Sequence, residues 1–336
     1  MYFIYPVVCG LKPVIKCARL SARLFVFRSK HKNLQTETQL ATTFSIIIPT
    51  RDRHQEIISL LESIKHLDGL VRIKPEIIVS DNCSKDQTWL SLQRIAADYP
   101  VPMKSLQAIP PGKSSALNAA IAVATGDVLA FLDDDVVVEP NWLVALESYF
   151  GQLSHLAAQG AILIPPRDSA DPEILRLIER YRTVRQVDFD GTTSETHSLN
   201  GANMAVRREV FDKVGKFDIR LGPGASGTSE DVEFAQRVRQ AGIKIGYMKR
   251  AVVYHHVDRS RLTEAYFQSI HRRQGASRLL FKHESAGRII FDLGRVSAQY
   301  GFYSIFGGER KRYRSKGRIY HYLGMLESKR KGREGK

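Results

Sequence analysis

Three aspartates stand side by side at Asp133–Asp135, directly after the apolar run Val128–Leu132. Adjacent carboxylates repel one another, and a bound cation relieves that repulsion. Hard divalent cations take oxygen ligands from proteins and keep bonds to the phosphates of a substrate. The pattern therefore predicts a metal–diphosphate site, and an acidic surface turn remains the alternative.

Two further segments contain residues that could hold a ligand. Asp81 follows the apolar run Ile77–Val79 and could accept hydrogen bonds from a base or a ribose, but the polar residues at 81–86 also favour an ordinary turn. Gly112 and Lys113 open a helical pattern that lacks the spacer and second glycine of a Walker P-loop. A helix N-terminus with a lysine can help to hold an anion, and an ordinary helix start explains the same residues equally well.

Proton transfer and metal binding each have a candidate in the second half of the chain. Glu230 and Asp231 begin an amphipathic pattern. A carboxylate there is either a favourable partner for the helix dipole or a general base that takes a proton from an attacking hydroxyl group. His255 and His256 follow the run Val252–Tyr254. A neutral imidazole is a common ligand for a transition metal such as Mn²⁺, and a purely structural histidine is the alternative.

Apolar runs alternate with helical patterns from residue 44 onward. The predicted strands and helices are, in chain order, Phe44–Ile48, Gln55–His66, Glu76–Ser80, Thr88–Tyr99, Gly112–Ala124 and Val128–Leu132. This order predicts an α/β fold, Rossmann-like, with a mostly parallel sheet and helices on both faces. Ligands of such sheets bind beyond the carboxyl ends of the strands. The clusters Thr50–Arg53, Asp81–Asp86 and Asp133–Asp135 all lie at such ends, so we expect them to share one site.

The pattern changes after residue 150. Short predicted strands lie among loops rich in Gly, Ser and Thr, at Gln159–Ile164, Ala202–Val206, Lys244–Tyr247 and Val252–Tyr254. Residues 262–306 have helical spacing, with Tyr266, Phe267 and Ile270 on one face. Residues 309–336 are strongly basic, and we expect them to be poorly packed.

The formal net charge of +15 belongs to the two ends of the chain. Residues 1–40 carry seven Lys/Arg and one Glu, and residues 309–336 carry eleven Lys/Arg and three Glu, which leaves +1 for residues 41–308. Basic ends of this kind suit an anionic membrane surface, and solvated tails are the alternative. We expect no nucleic-acid partner, because three adjacent aspartates repel phosphate unless a cation intervenes.

The three cysteines, Cys9, Cys17 and Cys83, form no C-x-x-C pair, which indicates a reducing compartment. No apolar run reaches the roughly 20 residues of a membrane-spanning helix. The apolar start of the chain lacks preceding basic residues and a small-residue cleavage site, so it does not predict a signal peptide. We therefore expect a cytoplasmic protein at the inner face of the membrane.

Five segments together resemble glycosyltransferase family 2, which has the GT-A fold. They are SIIIPTRDR, EIIVSDNCSKD, GKSSALNAAIAVATGDVLAFLDDDV, NGANMAVRREVF with VGKFD, and SEDVEFAQRVRQAG. They follow one another in the order typical of the family and span about residues 44–260. The resemblance implies an inverting enzyme that moves a sugar from a nucleotide diphosphate-sugar to a glycan or lipid-linked acceptor, with Mn²⁺ or Mg²⁺ as cofactor.

The resemblance also implies roles for single residues. Pro49, Thr50, Arg51, Asp81, Lys113, Asp133 and Asp134 would bind the nucleotide-sugar. Asp135, Asp133 and His255 would hold the metal, with Asp135 nearest to it. Asp231 would be the catalytic base. Gly201, Asn203 and Glu230 would lie on the acceptor side. Arg51 and Asp52 stand where many members of the family have a Tyr-Asn pair, and Cys83 replaces a common glycine.

The same comparison implies a domain organisation. We expect a basic amphipathic extension over residues 1–40, a GT-A domain over 41–260, helices over 261–308 and a basic tail over 309–336. Within the GT-A domain, about 41–140 would bind the nucleotide and about 141–260 the acceptor.

Other classes fit the sequence less well. A nicotinamide-dependent oxidoreductase needs a glycine-rich loop after its first strand, and PTRDRHQE contains no glycine. A catalytically inactive family member acting as a partner or scaffold subunit remains the alternative, and the presence of Asp133, Asp135 and Asp231 argues against it.

Overall fold

The computed structural model of the protein describes residues 42–152, 155–189 and 193–334. The predicted extension over residues 1–40 lies outside the described residues. Within them, one sheet contains the strands β1 (Phe44–Thr50), β2 (Glu76–Asp81), β3 (Met103–Gln107), β4 (Val128–Leu132), β5 (Val136–Val138), β6 (Ala157–Leu163), β7 (Glu195–Thr196), β8 (Asn203–Arg207) and β9 (Ile245–His255).

The helices lie between and after these strands. They are α1 (His54–Lys65), α2 (Leu70–Ile73), α3 (Thr88–Ala97), α4 (Lys113–Val123), α5 (Trp142–Gly151), α6 (Pro166–Ser169), α7 (Pro172–Tyr181), α8 (Arg208–Val214), α9 (Glu230–Gln240), α10 (Glu264–Phe281), α11 (Ala286–Phe306) and α12 (Glu309–Glu334). A short 3₁₀ helix, Arg259–Arg261, precedes α10.

The sheet has the strand order β3-β2-β1-β4-β8-β6-β9-β5, and β7 pairs with β9. β1 pairs in parallel with β2 and β4, and β2 pairs in parallel with β3. β8 runs antiparallel to β4 and to β6, so the sheet is mixed beyond β4. The prediction of an α/β fold with a mostly parallel sheet and C-terminal helices is confirmed, and the predicted polar clusters do follow strands that end at one edge.

Alternate residues of β1 pack into different layers, because successive side chains of a strand point to opposite faces. Ile46 and Ile48 lie in a core with α1 and α5, while Ile47 packs with α4 and α9. The α1 residues buried in the first layer have helical spacing, and they are Ile57, Leu60, Leu61 and Ile64. Both faces of the sheet are therefore covered, and its polar edge is left open to ligands.

Two strand predictions need correction. The predicted strands at Lys244–Tyr247 and Val252–Tyr254 are parts of the single strand β9, whose register against β6 shifts between Gly160 and Ala161. Exposed Lys249 and Arg250 lie beside this irregularity and gave the appearance of a loop. The edge strand β3 went unpredicted, because its side chains are only partly buried and its pattern is weakly apolar.

The expectation that residues 309–336 are poorly packed is wrong over the described part. α12 packs along α10 and α11, and Met325 is fully buried. The helices approach closely at two glycines, because a Cβ added at Gly275 would collide with the carbonyl of His321, and one at Gly324 with the carbonyl of Arg272. Among the described residues, none of the helices is both long enough and apolar enough to cross a membrane.

Candidate functional site

A cleft of about 550 Å³ opens at the carboxyl ends of β1 and β4. The predicted site residues that line it are Pro49, Thr50, Arg51, Lys113, Asp133, Asp134, Asp135, Glu230, Asp231 and His255. Residues from α10 and from the segment after α7 form the opposite wall, among them Arg182, Tyr266 and His271. The cleft thus joins the parallel half of the sheet to the C-terminal helices.

Asp133, Asp135 and His255 form a candidate metal centre. Each offers one ligand atom, and these atoms lie within 4.8 Å of one another. His255 Nδ1 lies 2.9 Å from the carbonyl oxygen of His256, which can only accept, so Nδ1 carries the proton. In the neutral tautomer His255 Nε2 therefore turns a lone pair toward Asp135 Oδ1, 3.4 Å away. Two lone pairs facing one another in this way fit a cation held between them.

Arginines surround the same carboxylate. Arg53 and Arg261 place guanidinium nitrogens 3.5 Å and 3.3 Å from Asp135 Oδ2. Burial opposes the ionisation of Asp135, but attraction to His255, when that imidazole is protonated, and to Arg261 and Arg53 outweighs burial and holds the pKa of Asp135 below the ordinary value. Sequence reasoning missed both arginines as site residues. Arg53 belongs to the polar cluster that follows β1, whereas nothing in the local pattern around Arg261 indicates its proximity.

Asp134 has different surroundings from its two neighbours. Its Oδ2 accepts a hydrogen bond of 2.8 Å from the hydroxyl of Thr50, which ties the loop to the end of β1. Burial, followed by repulsion from Asp135, raises the pKa of Asp134 to about 7. This carboxyl group thus lies at the cleft while it also holds the two strand ends together.

Lys113 links the aspartate cluster to α9. Its Nζ lies 2.5 Å from Asp133 Oδ1 and 3.4 Å from Glu230 Oε1, and all three groups are largely shielded from solvent. Burial opposes the charge on Lys113, but Asp133 and Glu230 outweigh burial and raise its pKa. Gly201 lies against this pair, since an added Cβ would be 3.2 Å from Lys113 Nζ. The absence of a side chain at Gly201 therefore leaves room for the lysine.

Asp231 lies at the start of α9, next to the buried Glu230. Its carboxylate is partly exposed, lines the cleft and accepts a hydrogen bond of 2.8 Å from the backbone nitrogen of Val232. It forms no ion pair with any residue that the structure describes. Glu230 is 6 % exposed and interacts with Lys113. The two neighbouring carboxylates therefore differ: one is committed to an internal ion pair, and the other is available in the cleft.

Asp81 and Asn203 do not line the cleft. Asp81 is fully buried, and its carboxylate accepts from the backbone nitrogen and the hydroxyl of Ser84. Burial raises the pKa of Asp81, and these hydrogen bonds oppose that effect. This is the turn that the sequence left open as an alternative. Asn82 reaches the cleft instead, and its Oδ1 accepts a hydrogen bond of 2.6 Å from Gly112.

Asn203 is fully buried within the sheet, so a sugar acceptor in the cleft cannot contact it. Its amide nitrogen donates to the carbonyls of Ala161 and Ala251, both at 2.8 Å, and its Oδ1 accepts from Trp142 Nε1 at 3.0 Å. The predicted acceptor-side role of Asn203 does not fit this position. Its side chain joins β8 to β6, β9 and α5, so its role is structural.

The doubly covered sheet, with an aspartate cluster at its open edge, is the arrangement expected of a glycosyltransferase of the GT-A fold. The family model "Glycosyl transferase family 2" matches residues 45–215. The chain therefore belongs to glycosyltransferase family 2 and is an enzyme that transfers a sugar from a nucleotide-sugar. The predicted family and the predicted sugar transfer, which is the EC 2.4 class of reaction, are confirmed.

Curated relatives include proteins of bacteria and of archaea. The chain is 26% identical over 257 residues to "Succinoglycan biosynthesis protein ExoM" of Rhizobium meliloti, a match that covers 74% of this chain and 79% of that protein. It is 27% identical over 150 residues to "Glucosyl-dolichyl phosphate glucuronosyltransferase" of Haloferax volcanii, which covers 43% of this chain and 47% of that protein.

Solved structures share the fold. The mannosyltransferase PcManGT from Pyrobaculum calidifontis, in complex with GDP-Man and Mn²⁺, matches with a TM-score of 0.59 and 17% identity, over 86% of this chain and 88% of that one. S. aureus TarS 1–349, in complex with UDP-GlcNAc, matches with a TM-score of 0.51 and 18% identity, over 87% of this chain and 92% of that one.

Proposed function

We propose that the enzyme is an inverting, metal-dependent glycosyltransferase that uses Asp231 as general base and a glycan or lipid-linked molecule as acceptor. The observation that carries the proposal is the cleft that contains the Asp133–Asp135–His255 cluster and the Asp231 carboxylate, which has no ion-pair partner among the described residues. The nucleotide-binding half, about 41–140, and the acceptor half, about 141–260, would face one another across this cleft.

The donor would bind along the sheet edge. Pro49, Thr50 and Arg51 line the cleft after β1, where they would contact the nucleoside. Asp81 would act indirectly, because its hydrogen bonds to Ser84 hold the loop that follows β2. Lys113 and Asp133 would meet the diphosphate. When bound, a divalent ion would supply Lewis-acid charge to the diphosphate leaving group.

Mn²⁺ or Mg²⁺ would be held by Asp133, Asp135 and His255. Carboxylate oxygens suit both ions, and an imidazole nitrogen suits a transition ion better, so this ligand set favours Mn²⁺. Two proteins of similar fold were solved with Mn²⁺, one in complex with GDP-Man and one with UDP and GalNAc.

Asp231 would take the proton of the acceptor hydroxyl as that oxygen attacks the anomeric carbon. A carboxylate without an internal ion pair is free to accept a proton, whereas Glu230 is held by Lys113. A single displacement of this kind needs no enzyme nucleophile and inverts the anomeric centre. The names of the two curated relatives support a polysaccharide or a lipid-linked acceptor.

The test is a panel of UDP-, GDP- and dTDP-sugars with Mn²⁺ or Mg²⁺. For each donor we would measure the thermal shift of the protein and the slow hydrolysis of the donor. We expect at least one donor to stabilise the protein and to be hydrolysed in the presence of metal. An absence of both effects across the whole panel would instead support an inactive partner or scaffold subunit.

The enzyme would also associate with the inner, cytoplasmic face of the membrane. α11 exposes five large apolar side chains, from 57% to 75% of their surface, at Ile290, Phe291, Phe302, Ile305 and Phe306. The basic helix α12 packs beside it. Apolar side chains next to a positive helix suit an anionic lipid surface, to which each nearby basic residue contributes about 1 kcal/mol.

Co-sedimentation with vesicles tests this association. The double variant Phe302→Ser and Phe306→Ser should lose binding to anionic vesicles, and binding of the native protein should weaken with salt. Val71→Ser with Ile109→Ser is the matched control, because these side chains are 67% and 82% exposed outside α11. Equal binding to neutral and anionic vesicles, or an unchanged double variant, would contradict the association.

A further inference from the structure

A second cavity adjoins the cleft on its C-terminal side. It has a volume of about 460 Å³ and lies between α7, α10 and α12. Arg182, His271 and Gln274 line both spaces. A molecule whose reacting hydroxyl lies in the cleft can therefore extend directly into the second cavity.

The walls of this cavity are strongly basic. Five arginines line it, and they are Arg180, Arg182, Arg278, Arg314 and Arg318. Arg180 pairs with Glu309 at 2.6 Å, and Arg278 pairs with Glu284 at 3.0 Å. The other three guanidinium groups form no ion pair with any described residue. Like charges that converge on one concave surface create a potential that concentrates anions.

Burial lowers the pKa of both histidines of the cavity. Burial, followed by the charge of Arg278, lowers the pKa of His321 to about 4. Burial also lowers the pKa of His271, whose Nδ1 lies 2.8 Å from the carbonyl of Phe267 and therefore donates to it. Both imidazoles are neutral near pH 7, so the charge of the cavity comes from its arginines.

Arg182 has a backbone conformation that is unusual for a residue with a Cβ atom. It caps the C-terminus of α7 with φ 53° and ψ 34°, the left-handed conformation that glycine or asparagine normally supplies. A Cβ makes this conformation sterically costly, and such strain persists mainly where it positions a functional side chain. Here this conformation places Arg182, which forms no ion pair within the described part of the chain, at the junction of the cleft and the second cavity.

Aromatic rings form the remaining wall. Tyr181, Phe267 and Tyr313 pack against one another with ring centroids 5.6 to 5.8 Å apart, and all three line the cavity. The cavity therefore combines apolar surface with a few charged groups, as small-molecule sites do.

We propose that this cavity is the acceptor subsite and that it binds a phosphate or diphosphate group which the acceptor carries beside its reacting sugar. Guanidinium forks match phosphate oxygens in pairs, and three uncompensated arginines exceed what a single carboxylate requires. The phosphates of the donor belong to the acidic edge of the cleft, where a metal would hold them. The inference rests on the proposed transferase function and names the chemical class of its acceptor.

Pyrophosphate, titrated by calorimetry in EDTA, is the first probe, because EDTA removes the metal on which the donor site depends. We expect the double variant Arg314→Gln and Arg318→Gln to bind pyrophosphate at least tenfold more weakly than the native protein. The matched control, Arg310→Gln with Lys331→Gln, removes the same charge from α12 outside the cavity and should change affinity less than twofold. Arg318→Lys, which keeps the charge but loses the fork, should fall between the two.

Equal losses in the two double variants would mean that net charge alone attracts the anion, and this would overturn the inference. The same holds if glucuronate binds as tightly as glucose 1-phosphate, since the cavity would then not favour a phosphate over a carboxylate. Tighter binding of farnesyl diphosphate than of glucose 1-phosphate would indicate a lipid-linked acceptor, and the reverse a soluble sugar phosphate; either supports the subsite.

The proposed function fails separately. If the native enzyme hydrolyses no nucleotide-sugar, the transferase mechanism is contradicted, whatever the cavity binds. If hydrolysis proceeds and the arginine variants bind pyrophosphate like the native protein, only the acceptor subsite is contradicted.

Discussion

The open edge of the sheet and the cavity among the C-terminal helices handle charge in opposite ways. At the sheet edge two of the aspartates face basic groups, as Asp133 faces Lys113 and Asp135 faces Arg53 and Arg261. In the helical cavity, Arg182, Arg314 and Arg318 have no carboxylate partner among the described residues. The first arrangement suits a metal that bridges protein and diphosphate, and the second suits direct contact with an anion.

The difference implies that the cleft at the sheet edge and the helical cavity can each bind a negatively charged ligand without competing for it. A donor diphosphate needs a cation before it can approach aspartates, whereas a phosphate on the acceptor does not. Metal removal and arginine replacement should therefore affect different ligands, and the predictions below begin with the largest expected effect.

Loss of the metal ligand at the sheet edge should be the most damaging change. Asp135→Ala removes a carboxylate oxygen from the Asp133–Asp135–His255 cluster, and we expect transfer to fall by about a hundredfold or more. EDTA should have the same effect on the native enzyme. Asp127→Asn is the control, because Asp127 precedes the amino end of β4 and bonds to Thr43. Full activity of Asp135→Ala would contradict the contrast between a metal-dependent sheet edge and a metal-independent helical cavity.

Loss of the proposed base should separate binding from chemistry. Asp231→Asn keeps the shape of the side chain but cannot accept a proton near neutral pH. We expect unchanged donor binding and a loss of transfer of about 10²–10⁴-fold. Binding is measured by thermal shift and transfer by product formation. If the Asn variant transfers at the native rate, Glu230 or another group holds the role.

At the amino end of the same sheet, the carboxylate of Glu76 is stabilised by groups of the protein alone. Glu76 accepts hydrogen bonds from Ser45, Lys104 and Thr125. Burial opposes its ionisation, but these bonds outweigh burial and lower its pKa to about 2. A depressed pKa stabilises the folded state above the unfolded pKa of about 4.3, and this stability is lost as pH falls toward 2.

Glu76→Gln should therefore destabilise the protein at pH 7 by about 2 kcal/mol, and less at pH 3. The measurement is urea unfolding of both proteins at the two pH values. A difference that stays constant with pH would show that the charge of Glu76 contributes little. Unlike ligand effects at the carboxyl edge, this one should not depend on Mn²⁺.

The last prediction concerns the packing of α12, and its expected effect on stability is similar in size to that of Glu76→Gln. Gly275→Ala forces a methyl group against the carbonyl of His321, and such overpacking costs about 1–3 kcal/mol. Gly294→Ala on α11 is the matched control, since an added Cβ there meets nothing within 4 Å. Alanine favours the helix at this open position by up to about 1 kcal/mol. Equal melting temperatures for the two variants would show that α10 and α12 are not closely packed.

The sequence predicted the sheet edge better than the helical cavity for a physical reason. The strand β4 and Asp133–Asp135 are adjacent in the chain, so local patterns reveal both the element and its polar end. Arg261 reaches Asp135 only through tertiary folding, and no local pattern records that contact. The packing of α12 was not predicted, because charged residues dominate its sequence. Gly317 and Gly324 let α10 approach α12 closely, and the local sequence around them does not show this contact.

Asp81 and Asn203 show where family resemblance and local surroundings diverge. The motifs are present, but the structure buries both side chains and satisfies them internally. Burial of a polar group depends on elements distant in sequence, so it could not be judged from either motif alone.

The most direct test of the account is the thermal stability of the native enzyme with nucleotide-sugars, measured with Mn²⁺ and again with EDTA. Binding to the folded state alone raises the melting temperature, so donor and metal should act together. The account predicts that at least one donor stabilises the enzyme with Mn²⁺ and that this stabilisation disappears in EDTA. The same stabilisation with and without metal would contradict a metal-dependent donor site at Asp133 and Asp135.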